Sequence, residues 1–162
     1  MKELTLQDSL SLDLDVDGPI TYKIEIALVA KALGKTIVEV EDMSLAELGN
    51  NIMRVINSII KPVNYTEDGR KKILTLNSPV GDKDTITLDD ISWKDVKERT
   101  GNKQLVELVD ILSSVTMENT KTIEQLSLAD TLNIMRLYFP KVMYPPILSL
   151  TEDIVQSYLL TS

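Results

Sequence analysis

Two stretches of this chain carry the same pattern, and that pattern most constrains the fold. One is VEVEDMSLAELGNNIMRVI, Val38 to Ile56; the other is KTIEQLSLADTLNIMRLYF, Lys121 to Phe139. Each has a short acidic segment, one apolar residue (Met43, Leu126), then Ser-Leu-Ala and an acid, and each runs on through Asn-Ile-Met-Arg. Ser44 with Glu47 and Ser127 with Asp130 are helix starts, because a serine hydroxyl there accepts an N–H that the first helical turn leaves unpaired. An aliphatic run precedes each copy: IEIALVAKALG before the first, LVELVDILSSV before the second. The unit therefore reads as helix, short helix, capped helix. Common helix formers alone make any two capped helices look alike, so duplication and coincidence are both open readings of the echo.

Around these units the sequence predicts the following elements. Leu4, Leu6, Leu10, Leu12, Leu14 and Val16 fall on alternate positions, which predicts a half-buried strand over 4–16. Pro19 suits the first turn of a helix, with Asp17 or its neighbour as cap. ITYKIEIALVAKALG fits both periods, but its alanines and Gly34 favour a helix. Thr36 with Glu39 opens a short helix, and Pro62 closes the long one that follows. PVNYT and KKILTL flank Asp68-Gly69 and predict a hairpin over 63–76. SPVGDKD is expected as a loop and TITL as a short strand. From Ser92 the chain is helical again, with a break at Gly101-Asn102 before KQLVELVDILSSV. Thr120 or Thr122 precedes a further short helix. KVMYPPIL reads as an extended linker, with a last helix starting at Thr151.

The expected fold is thus α+β: mainly α-helical, with two similar helical-hairpin units and a small antiparallel β-sheet. The chain divides on this reading into 1–62 (strand and first helical unit), 63–91 (hairpin and connecting strand) and 92–162 (second unit, proline-rich segment and last helix), packed as one domain.

Charge and residue inventory exclude several function classes. The formal net charge is −8 with a sequence pI near 4.6, which disfavours a nucleic-acid backbone or an anionic membrane as partner. There is no Cys and no His, so disulfides, the usual zinc ligands, thiol nucleophiles and imidazole acid–base chemistry are absent. Gly34-Lys35-Thr36 lacks the upstream glycine of a phosphate loop, and no G-x-S-x-G occurs. No run reaches the roughly 18 apolar residues of a membrane span, and the N-terminus lacks the apolar core of a signal peptide. The expectation is a cytoplasmic, non-enzymatic protein, without a cofactor.

DLDVDG, Asp13 to Gly18, starts like a calcium loop: Asp13, Asp15, Asp17 and Gly18 match ligand positions 1, 3, 5 and 6. Position 12, which should be a bidentate glutamate, is Ile24; Glu25 comes one residue late. Leu14 and Val16 continue the alternation from Leu4, so the aspartates read as the solvent face of a strand, where they also blunt its edge. A calcium-tuned module using these three residues is the alternative. A magnesium enzyme built on Asp82, Asp84, Asp89 or Asp90 is weaker still, lacking a phosphate cradle. Arg54 and Arg136, at similar places in the two copies, read as solvated residues whose stems cover apolar surface, over the alternative of pairing with an acid.

YFPKVMYPPIL, Tyr138 to Leu148, is the most apolar irregular stretch. It reads either as a linker pinning the last helix or as a contact surface, since Tyr and Met are enriched at interfaces. The contact residues would be Tyr138, Phe139, Val142, Met143 and Tyr144.

IALVAKALGKTIVEVEDMSLAELGNNIMRVINSII resembles the small tail-assembly chaperones of tailed bacteriophages: an aliphatic helix ending near Gly, a short helix, then a Ser-Leu-Ala-acid helix start. IEQLSLADTLNIMRLYF is similar to the same pattern and to baseplate-hub assembly proteins of contractile-tailed phages. The resemblance covers about residues 4–60 and 105–139, and a second copy of the unit and the hairpin at 63–76 depart from it. It implies a non-enzymatic protein of the host cytoplasm or the virion that binds a tail or baseplate component, or itself, through apolar helical faces.

Overall fold

The computed structural model describes residues 1–161, and these form an α+β fold with nine α-helices and one three-stranded antiparallel sheet among them. The chain divides into two compact units. Unit 1 holds Met1–Lys61 and Ser127–Ser162; unit 2 holds Pro62–Leu126. The first boundary lies at Pro62; the second falls inside the segment read from sequence as the second helical unit. No helix among the described residues is long and apolar enough to cross a membrane.

Unit 1 opens on a correction. Residues 4–16 are not a strand: α1 spans Leu6–Leu10, and the stretch beyond it to Val16 is irregular. Leu6 and Leu10 are also four apart, which suits a helix as well as a strand, and the cap breaks the tie. Thr5 Oγ1 accepts the Asp8 N–H at 3.2 Å, and Asp8 Oδ2 accepts the Thr5 N–H at 2.9 Å, a reciprocal box that satisfies two first-turn donors. Helix α2 (Ile20–Leu33) follows Pro19, which sits one residue outside it and supplies no side-chain cap. Gly34 ends α2 at φ 64°, ψ 34°, a left-handed conformation that glycine adopts without a Cβ penalty. Helix α3 (Ile37–Glu41) starts at the Thr36–Glu39 box, and α4 (Leu45–Ile59) at Ser44. Helices α8 (Leu128–Tyr138) and α9 (Pro146–Thr161) complete the unit, with a 3-10 turn at Lys141–Met143 between them. Ile24, Ile26, Leu28, Ile56, Leu132, Ile134 and Val155 are buried in this unit, an aliphatic core as a chain poor in aromatic residues requires.

The last helix begins earlier than expected. Pro146, not Thr151, opens α9, and the Pro145 carbonyl accepts the Ser149 N–H at 2.9 Å. A proline at the first helical position loses nothing, because its missing N–H would be unpaired there anyway. The segment 141–148 is therefore a turn and a helix start rather than an extended linker.

Unit 2 holds β1 (Asn64–Asp68), β2 (Lys71–Val80) and β3 (Lys83–Leu88) in the order β1-β2-β3. The hairpin signal at Asp68-Gly69 is correct: Asp68 pairs with Lys71 around the two-residue loop, with Gly69 at φ 62°. The expected loop over SPVGDKD is instead mostly strand. Val80 pairs with Lys83 around Gly81-Asp82, and a register shift between Thr75 and Val80 absorbs Pro79, a place where a strand tolerates a residue without an N–H. Helix α5 (Trp93–Arg99) starts at the Ser92–Asp95 box. Helix α6 (Leu108–Thr116) begins five residues later than the apolar pattern proposes. There the Asp110 carboxylate accepts the Glu107 N–H at 3.1 Å and the Lys103 ammonium at 2.9 Å, which fixes the first turn at Leu108. Helix α7 (Thr120–Glu124) takes its cap from Asn119 rather than a threonine. Leu74, Leu88, Leu112, Ile123 and Leu126 are fully buried.

The echo is real at the level of local structure. Gly34 and Met117 both end a helix in the left-handed region; Thr36 and Asn119 cap the short helices; Ser44 and Ser127 cap the third helices with φ −62° and −60°. The two copies are nevertheless used differently, since α2, α3 and α4 all belong to unit 1 while α6 and α7 belong to unit 2 and α8 to unit 1.

Candidate functional site

The corner between α8 and α9 is built from the backbone outward. Ser127 anchors the start of α8: its hydroxyl accepts the Asp130 N–H and donates to Asp130 Oδ2, both at 3.0 Å. Two turns on, Arg136 leaves the helix toward α9. Its Nε and Nη2 donate to Glu152 Oε1 and Oε2 at 2.9 and 2.7 Å, and Nη1 donates to Asn133 Oδ1 at 2.9 Å. Gln156 Nε2 adds a bond to Glu152 Oε1 at 2.9 Å. The two-pronged geometry of guanidinium on carboxylate is the strong form of an ion pair. The expectation that Arg136 is merely solvated is therefore overturned: Arg54 and Arg136 are both exposed as residues, but the Arg136 guanidinium is held by Glu152.

This clamp holds the turn between the helices. Tyr138 and Phe139 stand edge to face with ring centroids 5.3 Å apart, and both are half-buried. Lys141 pairs with Asp153 across the corner. Burial pushes the Tyr144 phenol above its usual value, helped by the nearby Glu152 charge and opposed by Arg136 and Lys141. Val142 is 90% exposed and Met143 45% exposed at the apex. Of the five residues expected at a contact surface, Val142 and Met143 thus face solvent, while Tyr138, Phe139 and Tyr144 are half-buried.

Asp13, Asp15 and Asp17 lie in the irregular stretch after α1, not on a strand face. Asp13 Oδ1 accepts the Asp15 N–H at 3.0 Å, so one carboxylate shapes its own loop. Among the described residues no three acidic side chains converge where they could hold a metal ion. The chain matches no family model, no curated protein and no solved structure.

One pairing had no signal in the sequence. The Tyr158 hydroxyl donates to Glu25 Oε2 at 2.6 Å, joining α9 to α2 across most of the chain's length. Burial raises the Tyr158 phenol, and the hydrogen bond and charge of Glu25 raise it further, so the proton stays on the tyrosine. The pair borders an open cleft of about 360 Å³ with Thr21, Asp153 and Ser157. In unit 2 a larger cleft, about 510 Å³, lies between Arg99, Lys103, Ser113 and Thr120. Its cations are already engaged: Arg99 donates to the Ser114 carbonyl at 2.8 Å and meets Asp89 at 3.3 Å, and Lys103 holds Asp110.

Proposed function

We propose that the protein is a non-catalytic interaction protein that binds a protein partner through the apolar apex between α8 and α9. The observation that carries this reading is the exposure of Val142 and Met143 on a turn held by the Arg136–Glu152 clamp, with the exposed Lys141–Asp153 pair beside it. Large apolar side chains exposed on a rigid base lose little conformational entropy when covered, which favours their use as contact points. The phage resemblance makes a tail or baseplate component the first partner to test.

The experiment compares the tagged wild type with Val142→Ser/Met143→Ser in capture from the native lysate and mass spectrometry. Phe139 is left intact because it packs on Tyr138. A stoichiometric structural protein held by the wild type should fall at least about tenfold with the variant, equivalent to about 1.4 kcal/mol of binding energy. Equal recovery by a variant of unchanged circular dichroism refutes the reading.

A further inference from the structure

The sheet of unit 2 has two rims, and they are not alike. Beside β3, the Asp89 N–H donates to the Val115 carbonyl at 2.7 Å, Lys83 meets Glu118 at 2.8 Å, and the strand packs on α6. At the other rim, β1 pairs among the described residues with β2 alone, and all of its residues are exposed. Asp68↔Lys71 closes the two-residue loop, so Asp68, Thr66 and Asn64 exchange hydrogen bonds with β2, and the antiparallel alternation turns the N–H and C=O of Tyr65 and Glu67 outward. Proteins blunt such an edge most often with lysine, proline or a bulge, and other charges do so too; the two charges of β1, Glu67 and Asp68, stand together at its C-terminal end, where the pairing below sets them against uncharged residues. β1 contains neither lysine nor proline, and the register shift of this sheet lies in the β2–β3 ladder instead.

We propose that β1 pairs antiparallel with β1 of a second copy, about a two-fold axis through Thr66, joining the two sheets into one. Parity supports this register. With Thr66 opposite itself as a pair whose own backbone bonds go to β2, Tyr65 faces Glu67 of the second copy, and these are the residues whose backbone groups point outward. Charge supports it too. A parallel, in-register pairing would set Glu67 against Glu67 and Asp68 against Asp68, which is unfavourable; the two-fold at Thr66 sets Glu67 against Tyr65 and Asp68 against Asn64. Tyr65 lies on the same face as Leu74 and Ile86, both buried, and is itself 43% exposed at the rim. Pairing would cover that rim. A five-residue strand makes a small interface of the weak, transient class, under about 1,200 Å².

Sedimentation equilibrium of the whole chain from about 1 μM to 1 mM tests this, a span of about 4 kcal/mol in association free energy. The wild type should shift from monomer to dimer within that range. Glu67→Pro deletes an outward N–H while leaving the β1–β2 ladder intact, and an edge strand accepts it; it should weaken the dimer at least about tenfold with unchanged circular dichroism. Thr66→Lys and Thr66→Glu should each be monomeric, because like charges meet at the axis, and an equal mixture should associate again. A wild type monomeric throughout, a dimer untouched by Glu67→Pro, or a mixture no better than its components would each overturn the proposal. So would protection of the Tyr65 and Glu67 amides that needs a different chain.

Discussion

Replacing Glu152 with alanine is the sharpest test of the α8–α9 corner. The Glu152 side chain is 8% exposed and that of Arg136 29%. The substitution removes the acceptor of two guanidinium bonds and one amide bond. Breaking a fully buried pair costs about 3–5 kcal/mol, whereas an exposed pair contributes about 0–1. Water reaches part of Arg136, so the expected loss lies between these, about 2–3 kcal/mol, since solvent offsets some of the unpaired charge. For a chain of this size each kcal/mol lowers Tm by about 2–4 °C, giving a drop of about 4–12 °C. The assay is urea unfolding followed by circular dichroism on Glu152→Ala, Arg136→Ala and the double variant, with amide exchange at Leu132 and Met135 reporting α8. The cycle should return a coupling of about 2 kcal/mol, little changed by salt because the pair is mostly shielded. A coupling under about 0.5 kcal/mol would place the pair with ordinary surface ion pairs and refute the rigid-corner argument.

Two further outcomes follow from local geometry. The Lys103 hydrogen bond, opposed by burial and helped by the Glu107 N–H, holds the Asp110 carboxyl below its usual value of 3.8. Its stabilising contribution is therefore complete above the unfolded value and lost as pH falls through the depressed folded one. Asp110→Asn should remove that part of the acid limb in a pH series of unfolding curves, and an unchanged limb would refute the pairing. Met117 sits at φ 58° and is 69% exposed where the first copy has Gly34 at φ 64°. Met117→Gly should raise stability by about 0.5–1 kcal/mol by removing left-handed strain, and Gly34→Ala, with open space around its Cβ, should lower it by about 1 kcal/mol. Opposite signs in thermal melts are the expected signature; the same sign would show that packing, not backbone strain, governs these positions.

How much of the fold is legible in the sequence depends on the range of the interaction that decides it. Helices α3, α4, α5 and α8 start at Thr36, Ser44, Ser92 and Ser127 because each cap bonds a residue three positions on. Residues 4–16 are decided at the same range: leucines on even positions suit both periods, and the Thr5-x-x-Asp8 cap selects a helix at Leu6 over the strand expected there. In β2 the proline at position 79 argued for a loop, yet a register shift let the strand pass through it.

The candidate site divides in the same way. That Tyr138–Leu148 is apolar and interrupts the helices was readable, because composition and proline placement act locally, although its prolines point to an extended linker and not to a turn and a helix start. Which of its residues face outward was not: Val142 is exposed and Tyr138 half-buried in a corner where Glu152 of α9 captures Arg136 of α8. The Tyr158–Glu25 bond and the open edge of β1 are likewise products of assembly. The sequence by itself determined where helices start and stop, since caps, left-handed turns and hairpin loops are bonds between near neighbours. Only the tertiary structure decided which charges are paired, which apolar groups remain exposed and how the two copies of one local pattern were divided, because burial depends on residues far apart in the chain.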